Sequence, residues 1–251
     1  MEQRPVNDII ASLPAEEEYA VVLLRRLQRV ADIPQRAAVL DVGAAQGLFL
    51  IACAKLNHRV AGIEPWADAR LAAKQIADRV GVSVDVVDGT AETMPFPNAS
   101  FDIVRANSVI EHVVEPAAVM KEVFRVLKPG GIFWFLTASS LCPAQGEIRG
   151  FPAFGWYPNW LKLKVMHWAS AHRPDLIGGT AFPAIHWFTP AKARRMLRQA
   201  GFSRVYDRWD LRLPDEGGRA YKLMLSIVKV SPLAKLVADI AVPCCSYAAV
   251  K

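Results

Sequence analysis

Residues 39–47 read Val-Leu-Asp-Val-Gly-Ala-Ala-Gln-Gly. The stretch Ala38 to Val42 is a short apolar strand, and Gln46 to Lys55 continues as an apolar helix. Glycines in the turn between them let the backbone pass close to a ligand. That ligand would lie at the carboxyl end of the strand, beside the helix N-terminus. Taken alone, such a turn is equally an ordinary strand-to-helix connection. Glu64 adds weight to the ligand reading. It ends the next strand, 21 residues after Gly43, where an acid is placed to accept from both hydroxyls of a ribose.

Outward from this unit, strands and helices alternate. Arg59 to Glu64 reads as a strand, Ala67 to Val80 as an Ala-rich helix, and Ser83 to Val87 and Phe101 to Ala106 as strands. A helix is expected from about Pro116 to Leu127. The turn Lys128-Pro129-Gly130-Gly131 then leads into a fifth strand, Ile132 to Thr137. Ahead of the alternation, Tyr19, Val22, Leu23, Leu27 and Val30 mark a helix over Glu16 to Val30. Alternation of this kind implies right-handed crossovers and a parallel sheet with helices on both faces.

The rhythm breaks between Leu141 and Trp187, a stretch rich in Pro, Gly and aromatic residues that reads as an insertion over the sheet. Order returns at Thr189-Pro190, an N-cap and first-turn pair, and the helix they open closes at Gly201. Strands are expected near Arg204 to Asp210 and Tyr221 to Val230, and Ser231-Pro232 opens a short C-terminal helix.

Composition sets the class. The chain has 251 residues, 53% hydrophobic and 22% charged, which fits one α/β domain with room for an inserted cap and excludes a disordered chain. The start, MEQRPVNDII, lacks a charged-then-apolar leader pattern. No apolar run reaches the ~18 residues a spanning helix needs. The greasiest stretch, Leu233 to Val250, carries Lys235 and Asp239. A cytoplasmic protein is expected, touching a membrane at most from its surface. Cys53, Cys142, Cys244 and Cys245 lack zinc-ligand spacing, so neither a metal site nor a disulfide framework is expected. Net charge is +6 and the pI about 9.2. Much of the excess lies in Arg194, Arg195, Arg198, Arg204, Arg208 and Arg212, which read as a solvated basic face.

The segments DVGAAQG (41–47), GIEP (62–65), GTAETMPFP (89–97), FDIVRAN (101–107), IEHV (110–113) and VLKPGG (126–131) occur in this order. Together they resemble the small-molecule branch of the class I S-adenosylmethionine-dependent methyltransferases. That group includes ubiquinone/menaquinone C-methyltransferases and many sugar and natural-product methyltransferases. The likeness runs from about Ala38 to Leu136, and Phe188 to Val205 resembles the group's late helix and strand. The resemblance implies a Rossmann-like doubly wound sheet, mostly parallel with an antiparallel last strand. It also implies one methyltransferase domain over residues 1–251, with residues 141–187 inserted as a substrate-binding cap.

The implied cofactor is S-adenosylmethionine, leaving as S-adenosylhomocysteine. The resemblance places Asp41 and Gly43 near the methionine ammonium, Gly47 at a close helix contact and Glu64 on the ribose. Pro65 and Trp66 follow, and Trp66 is either an adenine stack or a structural tryptophan. Thr90, Ala91 and Glu92 would border the adenine, with the Ala91 N–H toward the ring. The Asn107 carbonyl would meet the ammonium. Two positions depart from the pattern. Ala45 replaces the middle glycine, and Thr90 replaces an Asp that commonly accepts from the adenine amino group. The Gly-x-x-x-Gly spacing at Gly43 and Gly47 also differs from the Gly-x-Gly-x-x-Gly of nicotinamide sites.

For the acceptor, Asn107-Ser108-Val109-Ile110 lacks the Asn/Asp-Pro-Pro-aromatic run of amino methylation on bases. The Pro-Cys of cytosine C5 methylation occurs only at Pro243-Cys244. A nucleic-acid substrate is therefore not expected. Methyl transfer to a hydroxyl oxygen of an aromatic, lipidic or glycosidic compound is the first reading. Carbon methylation of a quinone or lipid is the second, and a non-catalytic cofactor-binding partner protein the third. Glu111 and His112 lie near the expected methyl site, with His112 a base or a packing residue, and His186 stands at the mouth of the cap. His58 reads as a surface residue. The cap's Phe151, Phe154, Trp156, Tyr157, Trp160, Met166 and Trp168, with Lys162 and Lys164 between them, would wall an apolar pocket. They would equally pack on each other, or lie at a membrane with the lysines outward. The helix from Pro158 to about Ala169 is expected to gather Leu161, Val165 and Trp168 on one face.

Overall fold

A computed structural model describes residues 6–177 and 182–251. Residues 178–181 of the expected cap, and residues 1–5, lie outside the described residues. Seven strands are ordered β3-β2-β1-β4-β5-β7-β6. They are β1 (Ala38–Val42), β2 (Arg59–Ile63), β3 (Asp85–Val87), β4 (Phe101–Asn107), β5 (Leu127–Ala138), β6 (Arg204–Asp207) and β7 (Cys244–Val250). All neighbouring pairs are parallel except β5–β7 and β6–β7, so β7 alone runs against the rest.

The strands feed two apolar layers by alternation, since successive side chains leave a strand on opposite faces. Val39, Ile103, Ile132, Trp134, Ala248 and Val250 meet the helices α2 (Leu13–Leu27) and α3 (Leu48–Lys55) on one face. Leu40, Val104, Phe133, Phe135, Tyr247 and Ala249 meet α5 (Pro116–Val126) and α7 (Pro190–Gln199) on the other. A short α1 (Val6–Ile10) and α4 (Ala67–Val80) complete the first face through Ile9, Leu13, Ile51, Ile76 and Ala77. The central strands are buried on both faces, which is why they read as continuous apolar runs.

Several expected boundaries move. The first long helix starts at Leu13 and ends at Leu27 rather than spanning Glu16 to Val30. Strand β3 begins at Asp85 rather than Ser83. Strand β6 stops at Asp207 because that residue turns the chain into the four-residue α8 (Arg208–Leu211). The Asp207 carboxylate accepts from the backbone of Trp209 and Asp210, and Asp210 accepts from the Asp207 N–H at 2.9 Å, a reciprocal cap. Lys128 to Gly131 is not a separate turn. It is an irregular stretch of β5, where pairing with β4 shifts between Phe101 and Ile103.

One expected element changes type. Tyr221 to Val230 is not a strand but most of α9 (Arg219–Val230), followed by α10 (Pro232–Ile240). The alternation Leu223-Leu225-Ile227 in sequence mimics a strand, yet the residues that go inside are Tyr221, Leu225 and Val228, at helical spacing against Trp209 and Ala238. The last strand is Cys244–Val250, inside the stretch read only as greasy.

The segment from Ser139 to Phe188 leaves β5 and returns beside it. The Phe188 N–H donates to Ala138 O and the Ser140 N–H to Phe188 O, both at 3.0 Å, pinning the two ends together. Its apolar residues form a core of their own around Phe154, Met166, Ile177, Ala184 and Trp187. Its helix α6 (Asn159–His172) buries Lys162, Met166 and Ala169, with Val165 partly buried against the same core, so Leu161, Val165 and Trp168 do not share one environment. Trp168 is exposed, and Lys162, expected to point outward, is 1% exposed with Nζ 4.9 Å above the Trp187 ring. The reading of a cap lying on a membrane with its lysines outward fails at Lys162 for this reason. Of the arginines read as a solvated basic face, Arg194 reaches Asp207 at 2.6 Å, Arg208 the Cys244 carbonyl at 2.7 Å and Arg212 Glu216 at 3.5 Å.

Candidate active site

At the carboxyl ends of β1, β2 and β4 the backbone leaves a cavity of about 460 Å³. Its floor is the 39–47 turn. Gly43, Ala45 and Gly47 all have positive φ, at 71°, 46° and 72°. The turn is therefore left-handed at the position where alanine stands for glycine, which costs an L-residue roughly 1–2 kcal/mol. A Cβ on Gly43 would meet Val109 Cγ2 at 2.5 Å, and one on Gly47 would meet Ala73 Cβ of α4 at 3.0 Å. Both glycines are needed for space as well as for conformation. Ser108, across the cavity after β4, is also left-handed, with φ 55°. Its N–H donates to Leu136 O at 2.9 Å, which holds the strained residue in place.

Glu64 is buried at the end of β2. One carboxylate oxygen accepts from Ala45 N–H at 2.9 Å and the other from Trp66 N–H at 3.2 Å. A carboxylate offers about four acceptor positions, so about two remain for a ligand's hydroxyls. Pro65, Trp66, Thr90, Ala91, Glu92 and Asn107 line the same cavity. Trp66 meets Phe182 edge to face, with centroids 5.8 Å apart. Glu92 accepts from the Val114 N–H at 2.9 Å and ties that wall to the start of α5. Asp41 does not line the cavity. Its side chain leaves β1 on the α2/α3 face and binds Arg105 through both oxygens, at 2.8 and 3.0 Å. Gly47 also lies outside the cavity wall, at the helix contact with Ala73.

A second cavity of about 430 Å³ adjoins the first. Ser108 and His112 line both. The rest of its wall includes Glu111, Thr137, Glu147, Ile177, Pro243 and Cys244. Glu111 is 2% exposed and accepts from Thr137 Oγ1 at 2.8 Å. Burial pushes its carboxyl up to about 7. Burial likewise raises Glu147, whose Oε2 is buried with no hydrogen-bond partner. Burial lowers His112, and its Nδ1 too has no partner. Three titratable side chains thus line one cavity, and two of them carry a buried polar atom with no hydrogen-bond partner.

Glu147 is the residue that sequence reasoning missed. It is the single acid between Glu122 and Asp175, and that isolation within an aromatic stretch was the available signal. His186 touches neither cavity. Its Nε2 faces the Val114 carbonyl at 3.3 Å, and its backbone N–H donates to Glu111 O at 3.1 Å. His58, read as a surface residue, is half-buried and accepts from Ala37 N–H at 3.2 Å.

Comparison with known proteins agrees with this fold. Residues 40–135 match the family described as a methyltransferase domain. A ubiquinone biosynthesis O-methyltransferase of Bradyrhizobium sp. (strain ORS 278) is 31% identical over 145 residues, covering 55% of this chain and 53% of that one. An uncharacterized methyltransferase of Mycolicibacterium gilvum is 31% identical over 178 residues, covering 68% and 66%. The chain spans about half the length of the first curated relatives it matches. Among solved structures, the YcgJ protein from Bacillus subtilis superposes with a TM-score of 0.57 at 17% identity, over 93% of this chain and 98% of that one. That likeness is one of fold. The ordered segments, the strand order with its single reversed strand and the family match together establish that this chain carries a class I methyltransferase domain.

Proposed function

We propose that the protein moves a methyl group from S-adenosylmethionine to a hydroxyl oxygen of a small-molecule acceptor. The single observation that carries this reading is the junction of the two cavities at Ser108 and His112. The first cavity has the features a nucleoside-bearing cofactor needs: a floor a Cβ would fill, an aromatic wall at Trp66 and a carboxylate with spare acceptor positions. The second holds proton acceptors and apolar wall, which suits an acceptor. The segment 141–187 contributes Glu147 and Ile177 to it, the role of a substrate-binding cap.

S-adenosylmethionine supplies an electrophilic methyl group on a positively charged sulfur. The protein's share is binding, orientation and proton removal. Glu64 would accept from the ribose hydroxyls, and the Gly43 and Ala91 backbone would border the ligand. Alignment of acceptor with methyl donor across the junction contributes ~7–11 kcal/mol by proximity. A hydroxyl acceptor loses its proton during the transfer. His112 is held neutral at pH 7 by burial and lines the junction of the two cavities, where it takes that proton. Glu147, raised by burial toward working pH, stands beside it as a second base. Glu111 bonds Thr137 and shapes the wall. His186 holds the cap's return strand and receives no proton-transfer role.

The test is cofactor-dependent turnover against phenols, sugars and prenyl quinols, read by mass shift. The expected product carries one methyl in place of one proton, on an oxygen. His112→Asn and Glu147→Gln lower kcat by roughly 10²–10⁴-fold while cofactor binding persists. Product methylated on carbon would overturn the oxygen assignment. Tight cofactor binding without transfer to any member of the panel would favour a non-catalytic partner.

A further inference from the structure

Seven of the fifteen exposed large apolar side chains among the described residues lie on α9 and α10, within 22 residues. On α9, Leu223, Ile227 and Val230 follow helical spacing along one stripe, opposite the buried Leu225 and Val228 and the partly buried Tyr221. Leu223 is 64% exposed and Val230 82%. On α10, Leu233, Leu236 and Val237 are exposed, and no residue of that helix is fully buried. A two-helix hairpin thus turns aliphatic side chains to solvent over a larger area than isolated surface residues explain.

Charge selects the occupant. Between Arg219 and Ile240 stand four basic residues and one acid, Asp239. Asp239 is engaged by Trp209 Nε1 at 2.6 Å, and Lys235 is paired with Asp207. Lys222 and Lys229, seven residues apart and both exposed, lie together on one flank of the apolar stripe, Lys222 near Asp215 and Lys229 donating to Arg212 O at 3.4 Å, with Arg219 at its edge. A twofold contact between two antiparallel α9 helices would set these basic flanks side by side. Aliphatic side chains bordered by exposed cations instead match the boundary between lipid chains and anionic headgroups. At 12 residues, α9 is ~18 Å long, too short to cross a bilayer and suited to lying in its plane. Among the described residues no helix is long and apolar enough to cross a membrane.

The hairpin is also joined to the site. Three residues after α10 ends at Ile240, Pro243 and Cys244 form part of the second cavity's wall. The Pro243 carbonyl accepts from Ser139 N–H at 3.0 Å, where the cap leaves the sheet.

We infer that α9 and α10 form a docking surface for an anionic lipid bilayer, which brings the wall of the acceptor cavity close to the membrane. The link to an acceptor rests on the proposed function; the docking itself does not. The full chain is sedimented with vesicles of phosphatidylcholine alone and of phosphatidylcholine mixed with phosphatidylglycerol. Binding is expected to the mixed vesicles, weakened by salt. Lys222→Glu/Lys229→Glu lowers partitioning by roughly thirty-fold or more. Leu223→Gln/Ile227→Gln/Leu236→Gln abolishes it while the variant still melts cooperatively, because all three side chains are exposed at 46–64%. Trp160→Ala/Trp168→Ala, in the cap, leaves it intact.

Wild-type protein remaining in the supernatant with mixed vesicles would overturn the inference. So would a dimer in light scattering that the triple glutamine variant converts to monomer without any vesicle binding. Because no methyl acceptor is needed, a failure of transfer and a failure of docking are read separately.

Discussion

Asp41 and Arg105 face each other across β1 and β4, paired in register and joined by two hydrogen bonds of 2.8 and 3.0 Å in the interior. The guanidinium carbon lies 4.1 Å above the Phe49 ring, between Tyr19 and Trp134, with Glu16 at 3.7 Å. Burial pushes Asp41 up to about 6 and Arg105 pulls it back. This acid stabilises the sheet beneath the cofactor turn and is held away from the cavity. Removing one partner leaves a buried charge, so Asp41→Ala should destabilise by ~3–5 kcal/mol in urea unfolding. The double change Asp41→Leu/Arg105→Met should recover most of that loss. A cofactor affinity of folded Asp41→Asn reduced more than about ten-fold, with stability retained, would show instead that the carboxylate acts on the ligand.

Glu64, unlike Asp41, faces the cavity. Glu64→Ala should weaken S-adenosylhomocysteine binding by ~1.5–3 kcal/mol, about ten- to more than a hundred-fold in Kd. Titration calorimetry reads this directly. An unchanged Kd would remove Glu64 from the cofactor site.

The turn offers a matched pair of substitutions. Gly43→Ala adds a Cβ at 2.5 Å from Val109 Cγ2 on a backbone with φ 71°, and should cost more than ~1–2 kcal/mol. Gly43→Ala/Val109→Ala should relieve the clash but not the φ penalty. Ala45→Gly should do the opposite and raise stability by up to ~1 kcal/mol, because the left-handed conformation is already imposed there. Thermal melts of the variants rank these effects.

Glu111 sets a pH dependence. Its carboxyl ordinarily titrates near 4.5 and burial raises it to about 7. Between these values the folded protein holds a proton that the unfolded chain has lost. Stability therefore falls as pH rises from about 4.5 to about 7 and levels off above. The full effect is roughly 3 kcal/mol. Glu111→Gln should flatten that slope, with its relative gain over wild type greatest above pH 7. A parallel pH profile for the two proteins would show that Glu111 titrates normally.

Much of the fold was legible because the signals are local. Alternation of apolar strands and helices, the Thr189-Pro190 start and the Gly201 stop each depend on a few neighbouring residues. The lining of the first cavity was legible for a related reason: strand ends of a parallel sheet converge, so Gly43, Glu64, Ala91 and Asn107 meet once the order of strands is right. Tyr221 to Val230 misled because its apolar residues satisfy both a period of two and a helical period, and only packing against Trp209 chooses between them.

By itself, the sequence determined the doubly wound sheet, the glycine turn after the first strand and the acid on the second strand, since each follows from side-chain size, alternation and spacing. Tertiary structure alone decided where side chains with two plausible partners went. It turned Asp41 to Arg105 rather than to the cavity, and Lys162 inward onto Trp187. It also set Glu147 beside His112, and aimed the stripe of α9 and α10 at solvent. Those outcomes depend on which residues distant in the chain occupy the facing surface, and burial of a charge or an aliphatic group is a property of that surface rather than of the local sequence.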